Sequence, residues 1–313
     1  MAALDLQAHD LTVRGVRLRI YDSGAPATPA PQAPVLLFLH GLRDVAHSLL
    51  PVAAPFADRH RLVLPDQRGH GASDRSDAYA MEHFIHDLYR VIEDHVQEPV
   101  VIIGHSLGGQ IASRFAAVFG ELVRGLVLVE GLGPPALPDT GNEAQWLAGY
   151  RQRLLSRFAD DAPPRDLGTV EAAAGRLKRN NPRLADTAAL AIARQATRRD
   201  TDGRLVWAFD PHAASVFVRA DVGEGERFWR QVQCPTLVIS GDLAHEYWLG
   251  QFGQRPDFDG RYAPGEMDAR AALFPRGEHC PFHHSGHMVH YDEPERLVTV
   301  IREFLHHRLG VTP

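Results

Sequence analysis

The sequence predicts an α/β fold in which helices cover a mostly parallel β-sheet. Short, continuous apolar runs alternate with segments of helical spacing, as at residues 34–39, 61–64 and 100–103. A strand that is apolar on both faces is typical of a parallel sheet buried between two layers of helices. The chain has 313 residues, 44% of them hydrophobic, which is enough to bury such a core.

The remaining elements follow from local periodicity. Residues 9–13 and 16–21 alternate between apolar and polar side chains on either side of Gly15, which predicts a hairpin of half-exposed strands. The Pro- and Ala-rich stretch 24–34 predicts a surface loop. Further helices are predicted at 46–56, 81–96 and 294–309, and further strands at 122–129 and 235–240.

The alternation of strand and helix stops in the middle of the chain. Residues 131–230 are rich in Ala, Arg and Leu at helical spacing and contain no clear buried strand. We therefore predict that residues 1–130 and 231–313 form the core domain and that 131–230 form a helical cap or lid inserted in it. A long connection at 247–281, which contains several Gly and Pro, predicts a second lid.

Composition and charge argue against several classes of function. The formal net charge is −6 without a basic stripe, so a nucleic-acid partner is not expected. No run of about eighteen apolar residues indicates a membrane span, and the first fifteen residues lack the apolar core of a signal peptide. Two cysteines are too few for a disulfide framework, which favours a reducing, cytoplasmic location. The oligomeric state stays open.

The stretch VVIIGHSLGGQIASRFAA at 100–117 carries the clearest chemical signal. Its pentapeptide GHSLG, at 104–108, fits the G-x-S-x-G pattern, in which small residues let a strand turn sharply into a helix. Such a turn exposes the hydroxyl of Ser106, and the helix start behind it offers N–H groups to a developing oxyanion. Ser106 is the candidate nucleophile, and an ordinary serine in a glycine-rich turn is the alternative.

A serine hydroxyl needs a base before it can act as a nucleophile at neutral pH. His287 is the best candidate, because it lies in a glycine-preceded loop before the last predicted helix. The same region holds further possible metal ligands: His279, Cys280, His283, His284 and His290. No C-x-x-C or H-E-x-x-H pattern is present among them, so we expect no metal.

Four motifs in this order resemble those of the α/β-hydrolase superfamily, in its serine-hydrolase branch with a helical cap. They are LHGL at 39–42, DQRGHGASD at 66–74, GHSLGG at 104–109 and GHMVHYDEPER at 286–296. The resemblance extends over almost the whole chain and implies Ser106 as nucleophile and His287 as base. The oxyanion hole would be the backbone N–H groups of Leu42 and Leu107. No cofactor is expected.

The acid of the triad is where the sequence departs from the commonest family pattern, an aspartate three residues after the glycine that ends the strand before the histidine loop. Gly241 ends that strand, and the third residue after it is Ala244, which cannot orient an imidazole. Glu130 closes the preceding apolar strand, where one branch of the haloalkane dehalogenases carries its acid. A carboxylate there is costly to bury unless it is paired. We predict Glu130 as the acid, with Asp242 as the alternative.

The nucleophile also limits the reaction. Haloalkane dehalogenases and epoxide hydrolases of this fold use an aspartate at the elbow, so the serine argues against both activities. It implies acyl transfer to water, and we predict a carboxylesterase-like hydrolase that cleaves a carboxylic ester or thioester through an acyl-enzyme on Ser106. Two alternatives stay open: serine-dependent C–C bond hydrolysis or cofactor-free perhydrolysis, and a non-catalytic, ligand-binding homologue.

Substrate choice is expected to lie with the cap. Its aromatic side chains can line an apolar cleft for a small-molecule acyl or aryl ester. The candidates are Trp146, Trp207 and Phe209, with Phe228 and Trp229 beside them.

Overall fold

The computed structural model describes residues 4–28, 33–136, 142–157, 165–217, 222–253 and 258–311. The strands in these ranges are, in chain order, β1 (Gln7–Val13), β2 (Val16–Asp22), β3 (Val35–Leu39), β4 (Leu62–Pro65), β5 (Val100–His105), β6 (Val123–Val129), β7 (Thr197–Arg199), β8 (Leu205–Trp207), β9 (Thr236–Gly241) and β10 (Gly277–Phe282).

The strands confirm the predicted fold class. Apart from β7 and β8, the strands described form one sheet in the order β1-β2-β4-β3-β5-β6-β9-β10. β1 pairs with β2, and β2 with β4, in antiparallel fashion, whereas the pairs from β4 to β10 are parallel. Every residue of β3, β4 and β5 is buried, as their continuous apolar sequences predict. The carboxyl ends of these parallel strands therefore meet at one edge of the sheet.

Helices cover both faces of the sheet. They are α1 (Leu50–Ala53), α2 (Met81–Arg90), α3 (Leu107–Val118), α4 (Glu143–Arg157), α5 (Val170–Asn180), α6 (Asp186–Ala196), α7 (Val222–Trp229), α8 (His245–Phe252), α9 (Glu266–Ala271), α10 (Val289–Asp292) and α11 (Pro294–Leu309). In the described part of the chain, none of them is both long and apolar enough to span a membrane.

Two predicted helices are less regular than expected. The helix predicted at 46–56 is a series of short turns, in which 3₁₀ segments at Ala46–Leu49 and Ala54–Phe56 flank α1. Pro51 and Pro55 each lack the backbone N–H that a continuous helix would use, which accounts for the interruptions. The helix predicted at 81–96 is α2 followed by a π-helix over Val91–Val96.

The end of the predicted second lid is instead an edge strand. The segment 247–281 contains most of α8, all of α9 and nearly all of β10. β10 is mostly half-buried, and it pairs only with β9 among the described strands. Its polar sequence GEHCPF, with a proline near its end, suits an edge strand but hides the strand from a search for apolar runs.

The predicted cap region contains two kinds of packing. α5, α6 and the β7–β8 hairpin share a small apolar cluster, which includes Leu184 and Ile192 and also Val45 from outside the predicted cap. By contrast, α7 packs on α3, and Trp229 belongs to the main core. Trp229 is 2% exposed and stacks on Phe274 with 5.8 Å between ring centroids. Trp229 therefore packs in the core.

Close packing of α3 on β3 provides a test of the fold. A Cβ at Gly108 would lie 2.3 Å from the carbonyl oxygen of Leu39, and both groups are held by backbone. We expect Gly108→Ala to lower the free energy of unfolding by about 1–3 kcal/mol, as overpacking does elsewhere. Urea unfolding measures this difference. Gly120→Ala is the control, since nothing lies within 4 Å of a Cβ there. Equal midpoints for the two variants would contradict this packing.

Stability is also expected to depend on pH through His70, which is fully buried. Its Nε2 accepts a hydrogen bond from the backbone N–H of Arg43 at 3.1 Å, and Nδ1 lies 2.9 Å from the carbonyl oxygen of Arg68. Burial, with the nearby His40, lowers the pKa of His70 to about 3 from the ordinary 6.5. The unfolded chain therefore binds this proton first as the pH falls below about 6.5.

We expect the free energy of unfolding to fall by up to about 2 kcal/mol through His70 between pH 7 and pH 5. Urea unfolding at both pH values measures the change. In His70→Gln this contribution is absent, so the variant loses less stability on acidification than the wild type does. A variant with the same pH slope as the wild type would rule out His70 as the source.

Candidate active site

Ser106 stands at the junction of β5 and α3 in a strained backbone conformation. Its φ is 51° and its ψ is −113°, a region that costs a non-glycine residue about 1–3 kcal/mol. The backbone N–H of Ser106 donates to the carbonyl of Val129 at 3.0 Å, which ties the turn to β6. A Cβ at Gly104 would lie 2.6 Å from the backbone of Gly108. The two glycines of the pentapeptide therefore allow this turn to close.

The structure brings His287 and Glu130 to this serine. His287 Nε2 lies 3.1 Å from Ser106 Oγ, and His287 Nδ1 lies 3.0 Å from Glu130 Oε2. Both residues are buried: His287 is 4% exposed and Glu130 is 2% exposed. A carboxylate at Nδ1 keeps the proton there and leaves Nε2 free to accept one. The three groups form a continuous chain along which a hydroxyl proton can move to the imidazole.

Both carboxylate oxygens of Glu130 have a hydrogen-bond partner. While Oε2 faces His287, Oε1 accepts a hydrogen bond from the backbone N–H of Gly241 at 2.8 Å. Glu130 directly follows β6, and the backbone turns sharply there, with a φ of 50°. A charge buried in this way needs partners, and the two hydrogen bonds supply them. Asp242 lies elsewhere, on the surface, where its carboxylate is 2.7 Å from His283 Nδ1.

The segment that follows Glu130 is held by two side chains of the region after β9. Tyr262 donates its hydroxyl proton to the carbonyl of Gly133 at 2.8 Å, and Arg270 donates to the carbonyl of Leu132 at 3.1 Å. Burial raises the pKa of Tyr262 well above its ordinary value, and the negative charge of Glu130 adds to this shift. Tyr262 therefore stays a hydrogen-bond donor near neutral pH.

Two predicted backbone donors lie beside the serine. Leu107 is the first residue of α3, so its N–H has no acceptor within the helix and lies at the positive end of the helix dipole. On the other side, a Cβ at Gly41 would lie only 3.3 Å from the Cβ of Ser106. This contact places the loop that contains Leu42 next to the serine.

Buried polar side chains hold the loop around Leu42 in place. His40 Nε2 accepts from the backbone N–H of Gln67 at 3.0 Å, and Asp66 accepts from that of Ala46 at 2.8 Å. His40 and Asp66 therefore shape these loops through hydrogen bonds to backbone N–H groups.

The aromatic residues of the predicted cap occupy different positions relative to the site. Trp207 and Phe209 stack with 6.3 Å between centroids, and Phe209 bridges to His70, which in turn holds Arg43 directly after Leu42. Trp146, in contrast, is 60% exposed on α4. Among the described residues, no hydrogen bond or ring contact joins Trp146 to the serine or the histidine.

Aromatic side chains of α8 were missed as part of the site. The ring of Tyr247 stacks on that of His287 with a centroid distance of 3.9 Å and an angle of 9°. Trp248 meets the same imidazole edge-on at 5.1 Å. The sequence offers one signal for this contact, because α8 follows the carboxyl end of β9 where Ala244 replaces the usual aspartate. The aromatic pair was assigned instead to a lid.

Buried histidines also contact the backbone and the ring neighbourhood of His287. His105 donates from Nε2 to the backbone carbonyl of His287 at 2.9 Å, and its ring lies 4.4 Å from that of His290. Burial, together with the neighbouring His290 and His287, lowers the pKa of His105 well below its ordinary value. His105 is therefore neutral near pH 7.

Two of the candidate metal ligands, His279 and His283, have other partners. His279 lies 2.7 Å from Asp268 and 2.8 Å from Ser240, and His283 contacts Asp242. In the described ranges, the side chains close enough to share an ion form two groups, and His290 is the one candidate ligand that belongs to either of them. These are His9, Asp22 and His95, and Asp44, His105 and His290.

Known proteins resemble this chain over most of its length. Residues 34–294 match the family model described as the alpha/beta hydrolase fold. A serine hydrolase-like protein of Danio rerio is 28% identical over 283 residues, which is 88% of this chain and 82% of the relative. A putative esterase/lipase of Haemophilus influenzae is 24% identical over 282 residues, 87% of this chain and 83% of the relative.

Solved structures share the architecture. The thioesterase domain from the curacin biosynthetic pathway superposes with a TM-score of 0.76 at 21% identity, covering 96% of this chain and 99% of that domain. At this identity the likeness concerns the fold. Because the family model matches well over half of its residues, the chain belongs to the alpha/beta hydrolase fold family.

Proposed function

We propose that this hydrolase cleaves a carboxylic ester or thioester of a small molecule through an acyl-enzyme on Ser106. The observation that carries the proposal is the chain of 3.1 Å and 3.0 Å contacts from Ser106 through His287 to Glu130. In this reading His287 is the general base and Glu130 is the acid that orients it. This is the arrangement by which an otherwise weak hydroxyl nucleophile is activated.

The reaction follows from the positions of these atoms. Ser106 Oγ attacks the carbonyl carbon of the substrate while His287 Nε2 takes its proton. The negative charge that develops on the carbonyl oxygen is received by the N–H groups of Leu42 and Leu107. When the carbon–oxygen or carbon–sulfur bond breaks, the imidazolium returns the proton to the leaving alkoxide or thiolate. The imidazole then takes a proton from the water that attacks the acyl-serine, and it returns that proton to Ser106 Oγ as the acid product leaves.

In this proposal, Glu130 stabilises the imidazolium form of His287. Its Oε2 accepts a hydrogen bond from Nδ1–H of His287 and stabilises the imidazolium that forms during attack. The bond from Gly241 N–H to Oε1 prevents rotation of the carboxylate away from the ring. The contact between Asp242 and the exposed His283 supports Glu130 over Asp242 as the acid.

The cap supports an apolar acyl or aryl group as the part of the substrate that is recognised. Trp207 and Phe209 stack beside the loop of Leu42, where such a group would follow the reacting carbonyl. A role for the exposed Trp146 has less support.

Cys234 and Cys280 are free thiols, which is consistent with a cytoplasmic location.

A fluorophosphonate probe tests whether Ser106 is an activated nucleophile. We expect one adduct, on Ser106, in the folded wild type, because only an activated serine reacts with this electrophile. Peptide mass mapping locates the adduct, and Ser106→Ala is the control. Folded wild-type protein without an adduct would refute an acyl-enzyme and favour a non-catalytic, ligand-binding homologue.

Turnover of p-nitrophenyl esters of increasing acyl length then tests the reaction class. We expect hydrolysis with a burst of p-nitrophenol when deacylation is the slower step. Labelling of Ser106 without hydrolysis of any ester would contradict the esterase proposal and favour the C–C bond hydrolase or perhydrolase alternative.

The choice of acid is tested by a matched pair of substitutions. We expect Glu130→Gln to lower kcat by about 10⁴, because an amide stabilises the wrong tautomer and no imidazolium. Asp242→Asn removes the exposed carboxylate directly after Gly241 and is expected to leave kcat within about twofold, as surface substitutions usually do. Steady-state kinetics on one p-nitrophenyl ester measures both. The reverse result would make Asp242 the acid.

A further inference from the structure

We propose that Arg183, which lies between the cap helices α5 and α6, is a positioning residue that holds the His287 imidazole in register with Ser106. The inference rests on the proposed function, since it assumes that His287 is the base. It concerns a residue that touches neither the imidazole nor the serine hydroxyl. Arg183 acts instead on the two chain segments that hold the ring.

The first of these segments is the start of α8. Tyr247 covers one face of the imidazole, and Trp248 contacts its edge, as described above. Glu246 is the residue immediately before Tyr247, and its Oε2 lies 2.8 Å from Nη1 of Arg183. The guanidinium therefore fixes the turn of helix that presents the aromatic pair.

The second segment is the loop that carries His287 into α10. Asp292, the last residue of α10, accepts from Nε of Arg183 at 2.9 Å through its Oδ2. The same Oδ2 accepts from the backbone N–H of Gly286 at 2.8 Å, directly before His287. Asn181, a second cap residue, donates to Oδ1 at 2.8 Å. One carboxylate thus links the cap to the backbone beside the proposed base.

The guanidinium lies unusually close to this loop. A Cβ at Gly286 would be 2.2 Å from Nη2 of Arg183, so any other residue would displace the guanidinium. The glycine of the GHMVHYDEPER motif is therefore compatible with Arg183 in this position. Together, Glu246 and Asp292 receive two different N–H groups of a single planar side chain.

Burial decides which of the two ion pairs matters more. In the pair with Glu246, the side chains are 29% and 46% exposed, and such pairs contribute little to stability. The side chain of Asp292 is only 1% exposed, so removal of Arg183 leaves a buried carboxylate without its cation. The loop beside His287 would then have to move so that Asp292 can reach water or another donor.

The consequence for the reaction is a change in rate and not in affinity. His287 must keep contacts of 3.1 Å and 3.0 Å at once, and a misplacement of about 1 Å in such geometry costs as much as 10²-fold. Binding of the acyl group depends on other parts of the site. A defect in Arg183 is therefore expected in kcat, with KM nearly unchanged.

The test compares Arg183→Met, Arg183→Lys and the control Arg204→Met with the wild type on one p-nitrophenyl ester. Arg204 is another cap arginine with two carboxylate partners, Asp200 and Asp202, at the β7–β8 turn. We expect Arg183→Met to lower kcat by about 10- to 100-fold with KM within about threefold, as expected for a displaced base. The control is expected to keep kcat within about twofold, because neither of its partners is as buried as Asp292: their side chains are 15% and 65% exposed.

Two further measurements separate positioning from general stability. The NMR signal of the His287 Nδ1 proton, hydrogen-bonded to Glu130, is expected to weaken or shift in Arg183→Met and to stay unchanged in Arg204→Met. Arg183→Lys keeps the charge but cannot serve both carboxylates in the same plane, so its kcat is expected between those of wild type and Arg183→Met. If Arg183→Met lacks a cooperative melt, Arg183→Lys decides, and a kcat equal to that of the wild type overturns the proposal.

The outcomes also separate this inference from the proposed function. Failure of the wild type to label at Ser106 refutes the proposed function, and the role of Arg183 falls with it. A labelled wild type, combined with a folded Arg183→Met whose kcat matches that of the control, overturns the role of Arg183 alone. A loss confined to KM also overturns it, since that result makes Arg183 a determinant of binding.

Discussion

The site depends on how closely three backbones approach at the carboxyl edge of the sheet. The first turn of α3 lies against the end of β3 through Gly108 and against the chain after β6 through Gly109, where a Cβ would lie 2.7 Å from the Cα of Gly131. Ser106 and Glu130, which lie beside this contact at the ends of neighbouring strands, both have positive φ angles. The two strained residues then face the same imidazole from opposite sides, and the surrounding packing bears the conformational cost.

Much of the fold could be predicted because the central strands are apolar on both faces. The predictions at 34–39 and 61–64 differ from β3 and β4 by a single residue at their ends. Elements whose stability comes from neighbours could not be predicted in this way. β10 has a polar sequence and is a strand because β9 offers it a partner, and α7 reads like a cap helix but packs on α3. Local periodicity contains no information on either partner.

The same distinction applies to the site. Ser106, His287 and Glu130 were selected from motifs and from the cost of burying a carboxylate at the end of an apolar strand, and the structure places them in contact. The stacking of Tyr247 on His287 joins residues 40 positions apart, and the contact of Arg183 with Asp292 joins residues 109 positions apart. Apart from the position of α8 directly after β9, a single sequence gives no signal for such pairs. An aromatic or arginine side chain that contacts the site has the same local sequence pattern as one that faces solvent.

The position of Glu130 directly after β6 has a consequence for how the proposed active site can change. With the proposed acid there, the turn after β9 need not supply a carboxylate to the imidazole, and α8 meets the ring with Tyr247 and Trp248. Substitutions in α8 at positions other than Glu246 can therefore reshape the wall of the site while the charges of the proposed triad stay in place. In homologues whose acid lies after β9, the same substitutions would alter charge and shape together. This chain separates the two properties, which makes α8 the natural place to redesign its selectivity.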